Sequence, residues 1–281
     1  MVRPIFRQLL LAAVALATMD YAAEGIVPVL RDQEPLAERL MVSASWRDSV
    51  LASSPWIHGD SATAVESPQF EADRRAFARD LVNTGRVAAA RADSLATFAV
   101  REAYKQRIPP ALVFGVLMTE NATFASKARS NVGAVGLMQV YPKYWVPTLG
   151  KKFGRDLKND ETNLRYGVHI LAHYVHTAAE KASVPTADGA WRTGLLRYNG
   201  CVRGTNTPGC QRYPDKVRRA VEEYAKSQCS AVGFDGCVAQ PLRLTLVAAA
   251  EDARQETVAQ EAVQRAAAQR AALQESVINA N

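Results

Sequence analysis

The stretch 111-ALVFGVLMTENATF-124 decides how the rest of the chain is read. Pro109 and Pro110 stand just before it, and proline costs nothing in a first helical turn, where the missing N–H has no intrahelical partner. Val113, Val116, Leu117, Glu120 and Phe124 follow at spacings of three and four, which line them up on one face at 3.6 residues per turn. That spacing predicts a helix over 110–121 with a carboxyl group where the pattern still asks for a buried side chain. Partial desolvation and the negative end of the helix dipole both oppose ionisation at such a place. A carboxylic acid kept protonated near neutral pH can donate a proton to a leaving oxygen, as glycosidic cleavage requires. Taken alone, a helix-end glutamate reads equally as a solvated or arginine-paired charge, so its neighbours have to decide.

Downstream, 131-NVGAVGLMQVYP-142 places Gly133 and Gly136 where tight backbone turns are needed and leaves Gln139 among apolar residues. An amide there must find partners, either on the loop backbone or on a hydroxyl or N-acetyl group of a bound sugar. In 160-DETNLRYGVHILAHYV-175, Asn163 is read as an N-cap and Leu164, Val168, Leu171 and Val175 as a core stripe. The segment 195-LLRYNG-200 ends a helix at Gly200, and 212-RYPDKVRRAVEEYA-225 opens another with Tyr213 before Pro214.

Further helices are expected at about 92–106, 163–181, 188–197 and 214–227, and Ser67 with Pro68 marks the start of one carrying Phe70, Phe77 and Leu81 on one side. No run alternates as a strand does, so the fold class is mainly α. The 281 residues, 48% hydrophobic and 22% charged, suffice for one catalytic domain with appendages or for two small domains. The net charge of +6 is spread along the chain. It fits an anionic polymer or surface in general, and no nucleic acid is assigned.

The first 25 residues carry Arg3 and Arg7, an apolar run from Leu9 to Ala17 and then Ala22 and Ala23, the layout of a secretory signal over 1–23. The run is well short of the roughly 20 residues that span a bilayer, so membrane contact is expected only through this segment, with an uncleaved anchor as the alternative. Residues 24–66, with scattered prolines and with Trp46 and Trp56 as candidate docking residues, read as a linker. A helical extension over 67–91 precedes the main domain, residues 92–228. A disulfide-closed loop is expected over 229–241, and Leu242 to the end reads as an Ala/Gln/Glu-rich helical tail. There Val247, Val258, Ala262, Leu273 and Val277 form a thin stripe, suited to solvent or to a docking protein partner.

Four late cysteines in an exported chain read as disulfides, with Cys201–Cys210 and Cys229–Cys237 favoured because each closes a loop rich in turn-forming residues. Zinc is the alternative, but no CxxC pair is present. His169, His173 and His176 share a helix three and four apart, yet lie beside the apolar stripe without an HExxH glutamate, so no metal and no cofactor is assigned. Asp156, Asp160, Glu161, Asp188 and Asp215 read as caps and solvated charges.

The order of pieces resembles a known family. Glu120 with Phe124, then GAVGLMQV (133–140), DETNLRYG (160–167), Tyr198–Asn199 and Tyr213 together look like the soluble lytic transglycosylase (SLT) domain of the lysozyme-like superfamily. The likeness spans about 92–228. It implies a goose-type, helical catalytic domain acting on peptidoglycan glycan strands, with Glu120 as the single catalytic acid and base; the signal segment, for its part, predicts a periplasmic location. It further implies that Gln139, Met138, Tyr198, Asn199, Tyr213 and Asn121 contact or position the sugar. Asn121 stands where the family usually has serine, and Tyr198-Asn199-Gly200 shortens the usual Tyr-Asn-x-Gly. A disulfide after Gly200 would stiffen the loop beside the cleft. A hydrolytic muramidase on the same fold, using a second carboxylate, and an inactive glycan-binding or assembly module of a secretion apparatus are the alternatives.

Overall fold

The computed structural model describes residues 54–57, 64–180, 187–201, 209–230 and 232–279, which lie in one compact unit. Among these residues the architecture is helical: α1 (Pro68–Asn83), α2 (Ala89–Lys105), α3 (Pro110–Glu120), α4 (Pro142–Phe153), α5 (Asp160–Glu180), α6 (Ala187–Tyr198), α7 (Tyr213–Tyr224), the single turn α8 (Lys226–Cys229) and α9 (Gln240–Asn279). A π-helical turn, Asp235–Ala239, leads into α9. Strand structure among the described residues is limited to two isolated antiparallel bridges that join Val135 to Arg129 and to Val140. The mainly α, lysozyme-like expectation is met.

α3 is the centre of the core. Every residue from Pro110 to Met118 is buried, so the stripe expected from spacing is instead a helix enclosed all round. α7 packs against it, and Gly115 is what lets it approach: a Cβ there would lie 2.6 Å from Val221 Cγ2 and 3.0 Å from the Val217 carbonyl oxygen. α5 lies along α6 and also against α2, while α1 pairs with α2. Leu164, Val168, Leu171 and Val175 are all buried on α5 as the period requires.

The start of α1 follows its sequence signal, with Ser67 Oγ accepting from the Phe70 N–H at 3.1 Å and Pro68 in the first turn. At the other end of α1, Asp80 is fully buried and accepts the N–H groups of Ser227 and Gln228 at 2.7 and 3.1 Å, which fixes α8. Of the expected linker 24–66, the described residues pack: Trp56 and Ile57 are buried, and the Trp56 ring stands 6.4 Å from that of Tyr104. Trp46 lies outside the described residues, as do the signal segment and most of the linker.

Three local readings are corrected. α4 was not expected, because Pro147 inside it removes a helical N–H and masks the signal. α5 begins at Asp160, capped by Asn159, whose Oδ1 accepts the Thr162 N–H at 2.9 Å. Asn163 is therefore inside the helix and caps nothing, since its side chain is committed elsewhere. Both expected disulfides are formed, Cys201–Cys210 and Cys229–Cys237.

The tail is a single helix of 40 residues. Its root is anchored by buried Leu242 and Thr245, whereas residues 256–270 are exposed throughout, Val258 and Val263 included. Among the described residues no helix is long and apolar enough to cross a membrane.

Candidate active site

Glu120 is the last residue of α3, and the chain leaves the helix at Asn121, whose N–H still reaches the Leu117 carbonyl at 3.0 Å. The abrupt exit is held by the Asn121 side chain. Its Nδ2 donates to the carbonyls of Ala125 and Gly136 at 2.9 and 3.2 Å, and its Oδ1 accepts from Thr123 Oγ1 at 2.9 Å. Arg91 secures the same loop from outside, donating to the Phe124 carbonyl at 2.6 Å. Phe124, at φ 53° and fully buried, closes the turn beneath it.

The second wall is the loop 133–140, and Asn163 is its clamp. This amide, 1% exposed, accepts the Met138 N–H at 2.8 Å and donates to the carbonyls of Val135 and Leu157, both at 2.9 Å. Three bonds on one buried amide leave the loop a single arrangement. Gly136 (φ 81°) has to be glycine twice over: the dihedral disfavours other residues, and a Cβ would fall 2.2 Å from Asn163 Nδ2. Tyr198 completes the grip by donating to the Met138 carbonyl at 2.7 Å. Gln139 is turned outward by a left-handed backbone (φ 47°), and its Nε2 donates to the Gly136 carbonyl at 2.8 Å.

These walls enclose a cleft of about 810 Å³, and Glu120, Gln139, Tyr198 and Asn199 line it. Tyr213 is 5% exposed and stands behind Glu120, donating to its Oε1 at 2.6 Å. Burial pushes the Glu120 carboxyl up to about 7, against the Tyr213 hydrogen bond and the Lys216 charge, which both pull it down. The phenols of Tyr198 and Tyr213 are raised well above the ordinary tyrosine range, first by burial and then by the adjacent Glu120 charge, so both are donors at neutral pH.

Two residues expected at the sugar are part of the wall instead. Met138 is fully buried, with its Cβ pressed on Gly167, where an added methyl would fall 2.3 Å away. Asn121 is 6% exposed, and its amide is spent on the loop. Each positions the cleft and does not line it. The sequence reading missed the aromatic side of the cleft, where Tyr141, Tyr144, Trp145 and Tyr174 line the opening. Tyr144 is 70% exposed, with its ring 5.2 Å from that of Tyr141. Aromatic faces beside a few fixed polar groups suit a ligand with both apolar and hydroxylated surface.

No second carboxylate lines the cleft among the described residues. Asp160 pairs with Arg91, Glu161 with Arg165 and Asp215 with Arg192, while Asp156 accepts the Lys158 N–H. The side chain of Asp188 lies outside the described residues. Two of the three α5 histidines serve the fold: His169 Nδ1 meets Gln106 Oε1 at 3.1 Å and His176 Nε2 the Gln106 carbonyl at 2.9 Å, pinning the corner between α2 and α3, while His173 is exposed beside the Tyr174 ring. The Cys201–Cys210 bond joins the end of α6, which carries Tyr198 and Asn199, to the turn that starts α7 at Tyr213.

Residues 98–207 match the family model described as Transglycosylase SLT domain. The resemblance carried by the motifs is thereby shown over that span, in a family of the lysozyme-like superfamily. The match holds Glu120, Gln139, Tyr198 and Asn199 and stops short of Tyr213. It points to transglycosylase-type activity and to peptidoglycan as the bound polymer. No curated protein and no solved structure matches the chain.

Proposed function

We propose that this protein is a peptidoglycan lytic transglycosylase, cleaving the β-1,4 bond between N-acetylmuramic acid and N-acetylglucosamine. Glu120, protonated at the start, gives its proton to the glycosidic oxygen as the C1–O bond breaks and positive charge develops on the muramic ring. The leaving N-acetylglucosamine departs with a 4-hydroxyl. The Glu120 carboxylate then takes the proton of the muramic 6-hydroxyl while that oxygen bonds to C1. Glu120 is restored as the acid, a 1,6-anhydro sugar is formed, and no water is consumed.

The observation that carries this reading is one carboxyl raised to about 7 in a cleft that no other described carboxylate lines. At that value both protonation states are populated near neutrality, as a group that acts first as acid and then as base requires. Tyr213 contributes a hydrogen bond to the carboxylate form. Gln139 and Asn199 present polar groups to the sugar, and the ring of Tyr198 gives it an apolar edge. Lysozyme-type hydrolysis would need a second carboxylate roughly 5–9.5 Å away to serve as nucleophile or to activate water.

Digestion of purified peptidoglycan followed by mass measurement of the released muropeptides tests the proposal. Products lighter by one water than reducing-end sugars are expected. Reducing ends would convert the reading to a muramidase, and no release would leave glycan binding alone. We read residues 1–23 as a signal that exports the chain to the periplasm; an unprocessed N-terminus on cytoplasmic protein would contradict this. A protein partner at the tail helix is testable by pull-down with and without residues 242–281, where identical partner sets would remove it.

A further inference from the structure

Arg197 stands in the last turn of α6, one residue before Tyr198, and lines the cleft. Three arginines on neighbouring helices are engaged. Arg192 holds Asp215 through two bonds at 2.6 and 3.2 Å, Arg165 holds Glu161 at 2.6 Å, and Arg91 is bound to Asp160 and to the loop after Glu120. The guanidinium of half-buried Arg197 makes no hydrogen bond or ion pair among the described residues, whereas its backbone carbonyl accepts the Gly200 N–H at 3.0 Å. Its charge is felt by Tyr174 across the cleft, where it counters part of the rise that burial imposes on that phenol.

A guanidinium is charged at every relevant pH and presents a planar fork matched to a carboxylate. The only carboxyl lining the cleft among the described residues is Glu120, whose raised value leaves it partly protonated at neutrality and uncharged well below it. Arg197 is the only cationic side chain lining the cleft among the described residues, and an unused fork there calls for an anion that the ligand brings. Resting on the peptidoglycan reading, the ligand has one to offer at the muramic 3-oxygen. That position carries a lactyl group, which ends in a free carboxylate on a bare strand and otherwise continues by an amide into a peptide bearing its own carboxylates.

We propose that Arg197 is a specificity-determining residue that pairs with a carboxylate on the muramic 3-O substituent and so selects muramic-containing strands over neutral N-acetylglucosamine polymers. The pairing is equilibrium binding and does not involve the bond that breaks.

The test uses the full-length Glu120→Gln protein, which holds substrate without turning it over, with and without Arg197→Gln. Three soluble probes are compared: a neutral N-acetylglucosamine oligomer, a bare muramic-containing strand with free lactyl carboxylates, and the same strand with its peptides. Loss of the pair is expected to weaken a carboxylate-bearing probe about tenfold more than the neutral one. A selective loss on the bare strand assigns the carboxylate to the lactyl group, and one confined to the peptide-bearing strand assigns it to the peptide. Arg197→Lys is expected to recover part of the selectivity, which a merely structural role would not give. Equal weakening of all three probes, or none, overturns the proposal. If the Glu120→Gln protein with Arg197 intact binds none of the probes, the peptidoglycan reading itself fails, and this inference with it.

Discussion

α3 and α9 are both helices, and they exist for opposite reasons. α3 has 11 residues, too few to persist alone in water, and all of it up to Met118 is enclosed by neighbours. α9 has 40 residues rich in strong helix formers, and its described outer side chains, 256–270, are exposed, with local pairs such as Arg265 with Glu261 at 3.2 Å. A helix fixed by packing has one position, whereas a helix fixed by propensity can point anywhere. The acid sits at the end of the first kind, where α7 crossing at Gly115 sets the Tyr213–Glu120 distance.

The comparison breaks most visibly at Glu120. Replacing it with Gln keeps the shape and removes the proton, so turnover of peptidoglycan is expected to fall about a thousandfold with the fold unchanged by circular dichroism. Asn163→Ala attacks the clamp instead, leaving the Met138 N–H and the Leu157 carbonyl unpaired, while the Val135 carbonyl keeps the Val140 N–H at 3.0 Å. A stability loss of about 3 kcal/mol by denaturant unfolding is expected. A loss under 1 kcal/mol would mean that the loop finds other partners.

The raised Glu120 carboxyl also makes stability depend on pH. Its folded value, about 7, exceeds its ordinary 4.5, so between these the folded state holds more protons than the unfolded one, and stability falls as pH rises through that window. Glu120→Gln removes this loss. The variant is expected to be more stable than the parent by on the order of 3 kcal/mol at pH 8 and no different at pH 4. Equal differences at both pH values would mean that the carboxyl is not raised.

Smaller effects belong to the periphery. Cys201→Ser/Cys210→Ser frees the link between the end of α6 and the start of α7, and a severalfold drop in turnover is expected; unchanged turnover would show that the bond does not shape the cleft. Removing residues 256–281 is expected to leave muropeptide release within experimental error. A marked drop would place the tail in the chemistry.

What the sequence made legible follows the same division. Helices with an uninterrupted 3.6 period, such as α5, and the acid at the end of the apolar run could be read directly, because pattern and packing agree there. α4 could not, since Pro147 breaks its local signal and its aromatic contribution to the cleft depends on the tertiary fold. Asn163 was misread because Asn before an apolar run looks like a cap. Its actual partners, Val135 and Met138, are 28 and 25 residues away. Asn121 and Met138 stand next to functional residues in sequence but face the wall, a distinction of side-chain direction that spacing does not carry. Arg197 gave no signal at all, because a helix-end arginine is ordinary until its neighbours are seen to leave it unpaired.

The central claim is that the fold holds one carboxyl near neutrality for use as both acid and base. The direct measurement is a carboxyl-carbon NMR titration of protein labelled at its glutamates, with the Glu120→Gln spectrum identifying the resonance. The account predicts a midpoint of about 7, moving higher in Tyr213→Phe, where the hydrogen bond that favours the carboxylate is gone. A midpoint near the ordinary 4.5, unmoved by Tyr213→Phe, would contradict it.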